Sequence, residues 1–381
     1  MIFHKYVKFT IFVKRQHHYM TQPKRPSQFK NVFMDSLAIA QPPRVVSSEE
    51  IEHQLKPLYN RLSLPEGRLE LMTGIKERRL CAPGVKPSDL SVEAAENVFK
   101  KTSIDRSKIG CLIHTSVCRD FLEPATATVV HHKLGLSEDC QIFDLSNACL
   151  GFLNGMLQVA NMIELGQIEA GLVVSGEDGR ALVESTIEHL NSNTELTRKS
   201  IKGSFASLTI GSGGVAAILC SKELAAKNSE DVVKGPQFCG ALTQSASQYH
   251  NLCQGGVSED EATTSNVIMN TDSEAMLEAG IALASRCFMK SKEAFGLDHT
   301  NIDHFITHQV GSAHSKQLFH ALELDESKDF KTYPFLGNMG SASIGSTLFL
   351  ASEAGRLKKN DNVLLMGIGS GLVSMMVKLK W

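Results

Sequence analysis

Between residues 140 and 165 the hydrophobic pattern changes period. Cys140 to Leu145 reads as a short strand. From Leu150 to Leu165 the polar side chains are confined to Asn154, Gln158, Asn161 and Glu164. That stripe has helical spacing, and a helix apolar around most of its circumference is buried. Runs of the same two kinds alternate along the chain, which predicts mainly parallel sheets with crossover helices.

The pattern also repeats. Ile109-Gly110-Cys111-Leu112-Ile113-His114-Thr115-Ser116-Val117 resembles Ile302-Asp303-His304-Phe305-Ile306-Thr307-His308-Gln309-Val310. Further on, Asn147 pairs with Asn338, Leu157 with Leu348, Ala160 with Ala351, Leu172 with Val363 and Gly176 with Gly367, at a constant offset of 191. Each half carries an Ile-Gly-Ser-Gly, Ile210–Gly213 and Ile368–Gly371, followed by strand-like residues. Two similar α/β units meeting face to face are expected, with central helices beginning near Cys149 and just after Asn338. The second of these, Ser341 to Gly355, is rich in Gly, Ala and Ser, which suits close packing. The polar stretches 186–203 and 224–265 interrupt the repeat and read as caps or as the shapers of an entrance.

With 42% apolar and 21% charged residues in 381, the composition is that of an ordinary globular chain. Nine cysteines without CxxC or Cys/His ligand spacing speak against a disulfide framework or zinc site and for a reducing cytoplasm. No apolar run approaches the roughly 18–20 residues of a membrane span. A net charge of −2 gives no reason to expect nucleic acid. Residues 1–30 stand apart, with seven Lys/Arg and no acid, leaving the remainder at −9. They lack the apolar stretch and cleavage site of a secretory signal, and Met20 is an alternative start. The expected organisation is a disordered basic extension (1–30), a half with the nucleophile (31–223), an insertion (224–265) and a second half (266–381).

Three residues are candidates for chemistry. Cys149 falls at the start of the buried helix, where unpaired N–H groups and the dipole favour negative charge; a lowered thiol pKa is expected there, the alternative being an inert core cysteine. His308 ends the strand-like Phe305-Ile306-Thr307, where parallel-sheet enzymes place working groups; otherwise it is structural. Asn338, in Phe335–Ser341, is a candidate ligand-facing amide or a capping residue. Equivalent loops of two symmetric units would bring all three to one cavity. The Gly367-Ile368-Gly369-Ser370-Gly371 run does not fit a dinucleotide fingerprint, because a strand rather than a helix follows; it reads as a hairpin-like turn that lines the site.

Ser146–Phe152, His308–Val310 and Gly337–Ser343 together resemble the three active-site motifs of the thiolase superfamily, in its β-ketoacyl-ACP synthase III branch. The resemblance runs from about Asn31 to Trp381 and implies a duplicated five-layered α-β-α-β-α fold and a Cys–His–Asn triad. Thr115–Ala127, with Glu123 before Pro124, is most similar to the enzymes that condense two fatty acyl-CoA chains head to head in bacterial olefin synthesis. Gly311 and Met339-Gly340 depart from the synthase pattern in the same direction.

From the residues alone, Pro124 suits the first position of a helix and Glu123 would cap it. The resemblance implies another role. A malonyl nucleophile forms its carbanion by losing CO2, whereas an ordinary acyl thioester must lose an α-proton to a base, and Glu123 is the candidate. The implied activity is an acyltransferase: Cys149 is acylated by a long-chain acyl-CoA, and His308 and Asn338 hold the enolate of the second. A 2-alkyl-3-oxoacyl product leaves as the β-keto acid. The alternatives are a β-ketoacyl-ACP synthase III using malonyl on acyl carrier protein, and more remotely a Cys–His–Asn hydrolase. No cofactor is implied beyond coenzyme A as the carrier. A homodimer is implied, and Ala125–Leu136, with His131 and His132, could face the partner.

Overall fold

Along one strand Val215, Ala217 and Leu219 point to one side and Ala216, Ile218 and Cys220 to the other, and both sets are buried. That requires a sheet covered on both faces. The computed structural model describes residues 27–226, 235–257 and 267–381; most of the basic extension and parts of 224–265 lie outside the described residues. Its strands are β1 (Ser27–Gln28), β2 (Val32–Ala40), β3 (Arg44–Ser47), β4 (Glu77–Leu80), β5 (Ile109–His114), β6 (Gln141–Asp144), β7 (Ala170–Glu177), β8 (Gly213–Ser221), β9 (Gln237–Ser245), β10 (Cys253–Val257), β11 (Val267–Thr271), β12 (His304–Thr307), β13 (Asn362–Gly369) and β14 (Val373–Lys380).

The large sheet runs β12-β13-β14-β9-β2-β8-β7-β5-β6, with β1 on β9. β9 and β2 share a single register pair, Phe33 with Gln237, and this is where the two halves join. The halves have one topology. Strand β7 lies parallel to β5 and antiparallel to β8, which pairs antiparallel with β2. Likewise β13 lies parallel to β12 and antiparallel to β14, which pairs antiparallel with β9. The first half's edge strand β6 has as its counterpart only a parallel bridge between Phe305 and Asp329.

The helices Gly151–Glu164 and Ala342–Glu353 form the central layer of one core cluster shared with strands of both halves. Phe152, Leu153, Met156, Val159 and Ile163 are each at most 1% exposed, and each such burial stabilises by about 1.5–3 kcal/mol. One outer layer is made by Pro87–Phe99 and Thr126–Leu134, the other by Ser273–Phe295 and Ser312–Ala321. This is the duplicated α/β fold that the repeat predicts, in the five layers that the resemblance implies. The offset of 191 carries Gly151, which opens one central helix, onto Ala342, which opens the other.

Four expectations change. The sheet is mixed rather than mainly parallel, because the turn after Gly369 makes β13 and β14 a hairpin, and strands joined so tightly pair antiparallel. Strand β9, expected within an insertion, is the first strand of the second half; only alternate residues are buried in its first part, which made it read as polar. The ordered fold reaches back into the basic extension: β1 pairs with β9, and Phe29 packs on Phe238 with ring centroids 5.4 Å apart. Finally, the helix Thr126–Leu134 spends its apolar face inside its own half, through Val130 and Leu134. The polar stretch 186–203 does join a cap, in which Leu190 and Leu208 pack with Leu55, Leu58 and Leu69.

Candidate active site

Cys149 sits in the 3-10 turn Ala148–Leu150, which leads directly into the helix Gly151–Glu164. Ala148 is held at φ +45°, a left-handed backbone that costs a non-glycine residue on the order of 1–3 kcal/mol. Cys149 as a residue is half-buried. The electrostatic outcome differs from expectation. Burial, then the Glu177 carboxylate and the nearby Cys253, push the thiol up to about 12. Desolvation outweighs the helix terminus in the free protein, so Cys149 rests as a thiol.

His308 follows β12, and its backbone N–H donates to Met366 O at 3.0 Å. The next residue secures it: buried Gln309 donates through Nε2 to Thr307 O at 2.8 Å, and its Oε1 accepts from the N–H groups of Thr332 and Tyr333 at 2.8 and 3.0 Å. The His308 side chain is buried and its Nδ1 has no partner. Burial and neighbouring His314 push its pKa down to about 3, so the ring is neutral. Asn338 Oδ1 accepts from Gly340 N–H at 3.0 Å and from the Ser343 hydroxyl at 3.4 Å. With the oxygen so held, the amide Nδ2 is left as the donor for a ligand.

The two halves serve each other at this point. The Asn338 backbone bridges Ile210 of the first half's Ile-Gly-Ser-Gly, with Gly211 N–H donating to Asn338 O and Asn338 N–H to Thr209 O, both at 2.9 Å. The second half's equivalent run returns the contact. A Cβ on Gly369 would stand 3.5 Å from Cys149 N and 3.3 Å from Leu150 Cγ, so this glycine turn packs on Cys149. Phe152 N–H, one of the unpaired donors of the first helical turn, finds Ser341 Oγ across the interface at 2.9 Å.

Glu123 is not brought into this cluster. It is exposed, and its carboxylate makes no hydrogen bond or ion pair among the described residues. Pro124 does not open a helix. It follows a cis peptide bond and precedes a helix that begins at Thr126, whose first N–H groups are capped by Asp144, at 2.9 Å to Thr126 and 2.8 Å to Ala127. Val117, Phe121 and Leu122 of the same loop are also exposed, Leu122 by 98%. The carboxylate that does lie beside Cys149 is Glu177, which sequence reasoning missed. A signal existed: an acid ends the otherwise apolar run Leu172–Gly176, at the strand end where parallel-sheet enzymes carry functional groups.

Two family models match, the thiolase N-terminal domain over residues 71–208 and the 3-oxoacyl-[acyl-carrier-protein] synthase III C-terminal domain over 293–381. The chain is 42% identical over 354 residues to an acyl-CoA:acyl-CoA alkyltransferase of Shewanella oneidensis, covering 93% of this chain and all of that one. It resembles Xanthomonas campestris OleA bound to cerulenin at 36% identity and a TM-score of 0.86, covering 93% of this chain and 98% of that one. A cysteine-to-serine form of OleA with lauric acid and lauroyl-CoA matches at 36% identity and a TM-score of 0.85, over 93% of this chain and 100% of that one. The shared topology, the motifs and an identity well above 30% along nearly the whole chain agree: this chain belongs to the acyl-CoA:acyl-CoA alkyltransferase family of thiolase-fold condensing enzymes.

Proposed function

We propose that the chain is an acyltransferase that joins two long-chain acyl-CoA thioesters head to head through an acyl-cysteine. One observation carries this reading: Cys149, at a helix start in one half, packs against the Gly369 end of β13 in the other half, the strand to which the loop of neutral His308 is bonded through Met366. A papain-like hydrolase would need Asn338 to orient His308 and His308 to take the thiol proton. Here Asn338 Oδ1 is held by Gly340 and Ser343, and His308 is far too weak a base.

In the first half-reaction Cys149 sulfur bonds to the acyl carbon, the carbon–sulfur bond to CoA breaks, and CoA leaves with the thiol proton. The Cys149 N–H, beside the Gly369 turn, is placed to stabilise the tetrahedral oxyanion. The second acyl-CoA then sets its thioester oxygen against His308 Nε2 and Asn338 Nδ2. Glu123 takes the α-proton; the new carbon–carbon bond forms as the bond to Cys149 sulfur breaks, and Cys149 regains a proton. Hydrolysis of the remaining thioester releases a 2-alkyl-3-oxo acid. No further cofactor is required by these steps.

The role of Glu123 is tied to a homodimer. In one chain the residue is solvated, on a loop with exposed Phe121 and Leu122; covering that loop with a second copy would exclude water from the carboxylate. We place the enzyme in the cytoplasm, acting on dissolved carrier thioesters; no described helix is long and apolar enough to cross a membrane.

Myristoyl-CoA alone should give the condensed β-keto acid and two equivalents of CoA by mass spectrometry. Glu123→Gln should retain acylation of Cys149 and lose condensation by roughly 10²–10⁴, a defect that a malonyl thioester bypasses. Condensation seen only with malonyl-ACP, or undiminished in Glu123→Gln, returns the chain to the malonyl-dependent synthases.

A further inference from the structure

Glu177 is 4% exposed and ends β7 between the two catalytic loops. Its Oε1 accepts from the N–H groups of Val117 at 2.9 Å and Ser341 at 3.0 Å, and its Oε2 from Cys118 N–H at 3.2 Å. Val117 and Cys118 open the loop that runs to Glu123, in the first half. Ser341 belongs to the second half, three residues after Asn338. Gly340 completes the fit: its φ is +52°, and a Cβ there would stand 3.0 Å from Glu177 Oε1. Only a residue without a side chain leaves room for the carboxylate while taking this backbone comfortably.

We propose that Glu177 is a positioning residue for the condensation, its carboxylate tying the loop that leads to Glu123 and the turn that carries Asn338 to one point beside Cys149. This rests on the function assigned above for the reaction it serves. Burial raises the Glu177 carboxyl above its ordinary value, and the three main-chain N–H donors, which favour the ionised form, oppose that shift. In its ionised form Glu177 adds to burial in holding Cys149 as a thiol before acyl-CoA enters, which protects the sulfur from stray electrophiles. The ionisable groups around the pair are Cys118 on the loop, Cys253 on β10, and Asp178, the last within 3.9 Å of Arg180.

The test uses the full chain and three variants, Glu177→Gln, Glu177→Asp and Gly340→Ala. Alkylation of Cys149 by iodoacetamide is followed from pH 6 to 10 by peptide mass spectrometry. Acylation and condensation with myristoyl-CoA are timed separately. Removing the charge in Glu177→Gln should speed alkylation at pH 8 by about tenfold, the equivalent of about one pKa unit, whereas Glu177→Asp should stay slow. A displacement of about 1 Å can lower a rate by about 10², so Glu177→Gln and Gly340→Ala should lose condensation by up to that factor while keeping most of the acylation. A Glu177→Gln protein with native alkylation and condensation rates overturns the proposal. So does a Gly340→Ala protein that melts normally and condenses at the native rate; this outcome remains decisive if Glu177→Gln does not fold. If the native protein acylates Cys149 and joins no two acyl-CoA molecules, the assigned function fails instead, and the alkylation profile still decides the electrostatic role.

Discussion

At the scale of single residues, Cys149 and His308 are both held in their neutral forms. A thiol pushed up to about 12 and an imidazole pushed down to about 3 cannot form a thiolate–imidazolium pair at neutral pH. His308 is therefore neutral and Asn338 Oδ1 is already bound, which suits both to the donor roles proposed for them. Replacing Asn338 with alanine should remove one of two donors to the enolate, a change that typically lowers the rate by about 10²–10³. Stopped assays should find condensation reduced by that factor and acyl transfer to Cys149 nearly intact; equal loss of both would favour a hydrolase-like arrangement. The residue types and order of Cys149, His308 and Asn338 were readable in the chain. The direction of the thiol shift was not, because a helix terminus is a local feature while desolvation depends on everything packed around it.

At the scale of elements, the helix that presents the nucleophile is completed by its counterpart. Its first turn supplies the Phe152 N–H, and the start of the other central helix supplies Ser341 Oγ. Ser341→Ala should leave that buried N–H unpaired and lower stability by about 1–3 kcal/mol, measured by urea unfolding; an unchanged midpoint would mean that the contact contributes nothing. The loop before Thr126 teaches the opposite lesson. Glu-Pro ahead of an apolar helical run reads as a cap and first turn, yet Asp144 provides the cap from a neighbouring strand. A carboxylate distant in sequence met the same requirement as the adjacent one, and Glu123 was left on the surface.

At the scale of the whole molecule, the duplication sets two central helices back to back and makes each half contribute to the other's loop. Val117, Phe121 and Leu122 are exposed apolar side chains on the same loop as Glu123. A second copy of this chain is the expected cover. Light scattering should give about twice the chain mass of 41.6 kDa, and Leu122→Asp should weaken the dimer and slow condensation together. A fully active monomer would refute this.

The duplicated layering and the three motif residues were determined by sequence alone, because hydrophobic periodicity and repeat spacing are properties of neighbours along the chain. Tertiary structure alone decided that β9 belongs to the sheet, that Asp144 caps the helix after Glu123, and that Glu177 lies beside Cys149. Each of these depends on groups far apart in sequence, Glu177 with Ser341 above all, meeting in an interior where an unpaired polar group is too costly to leave.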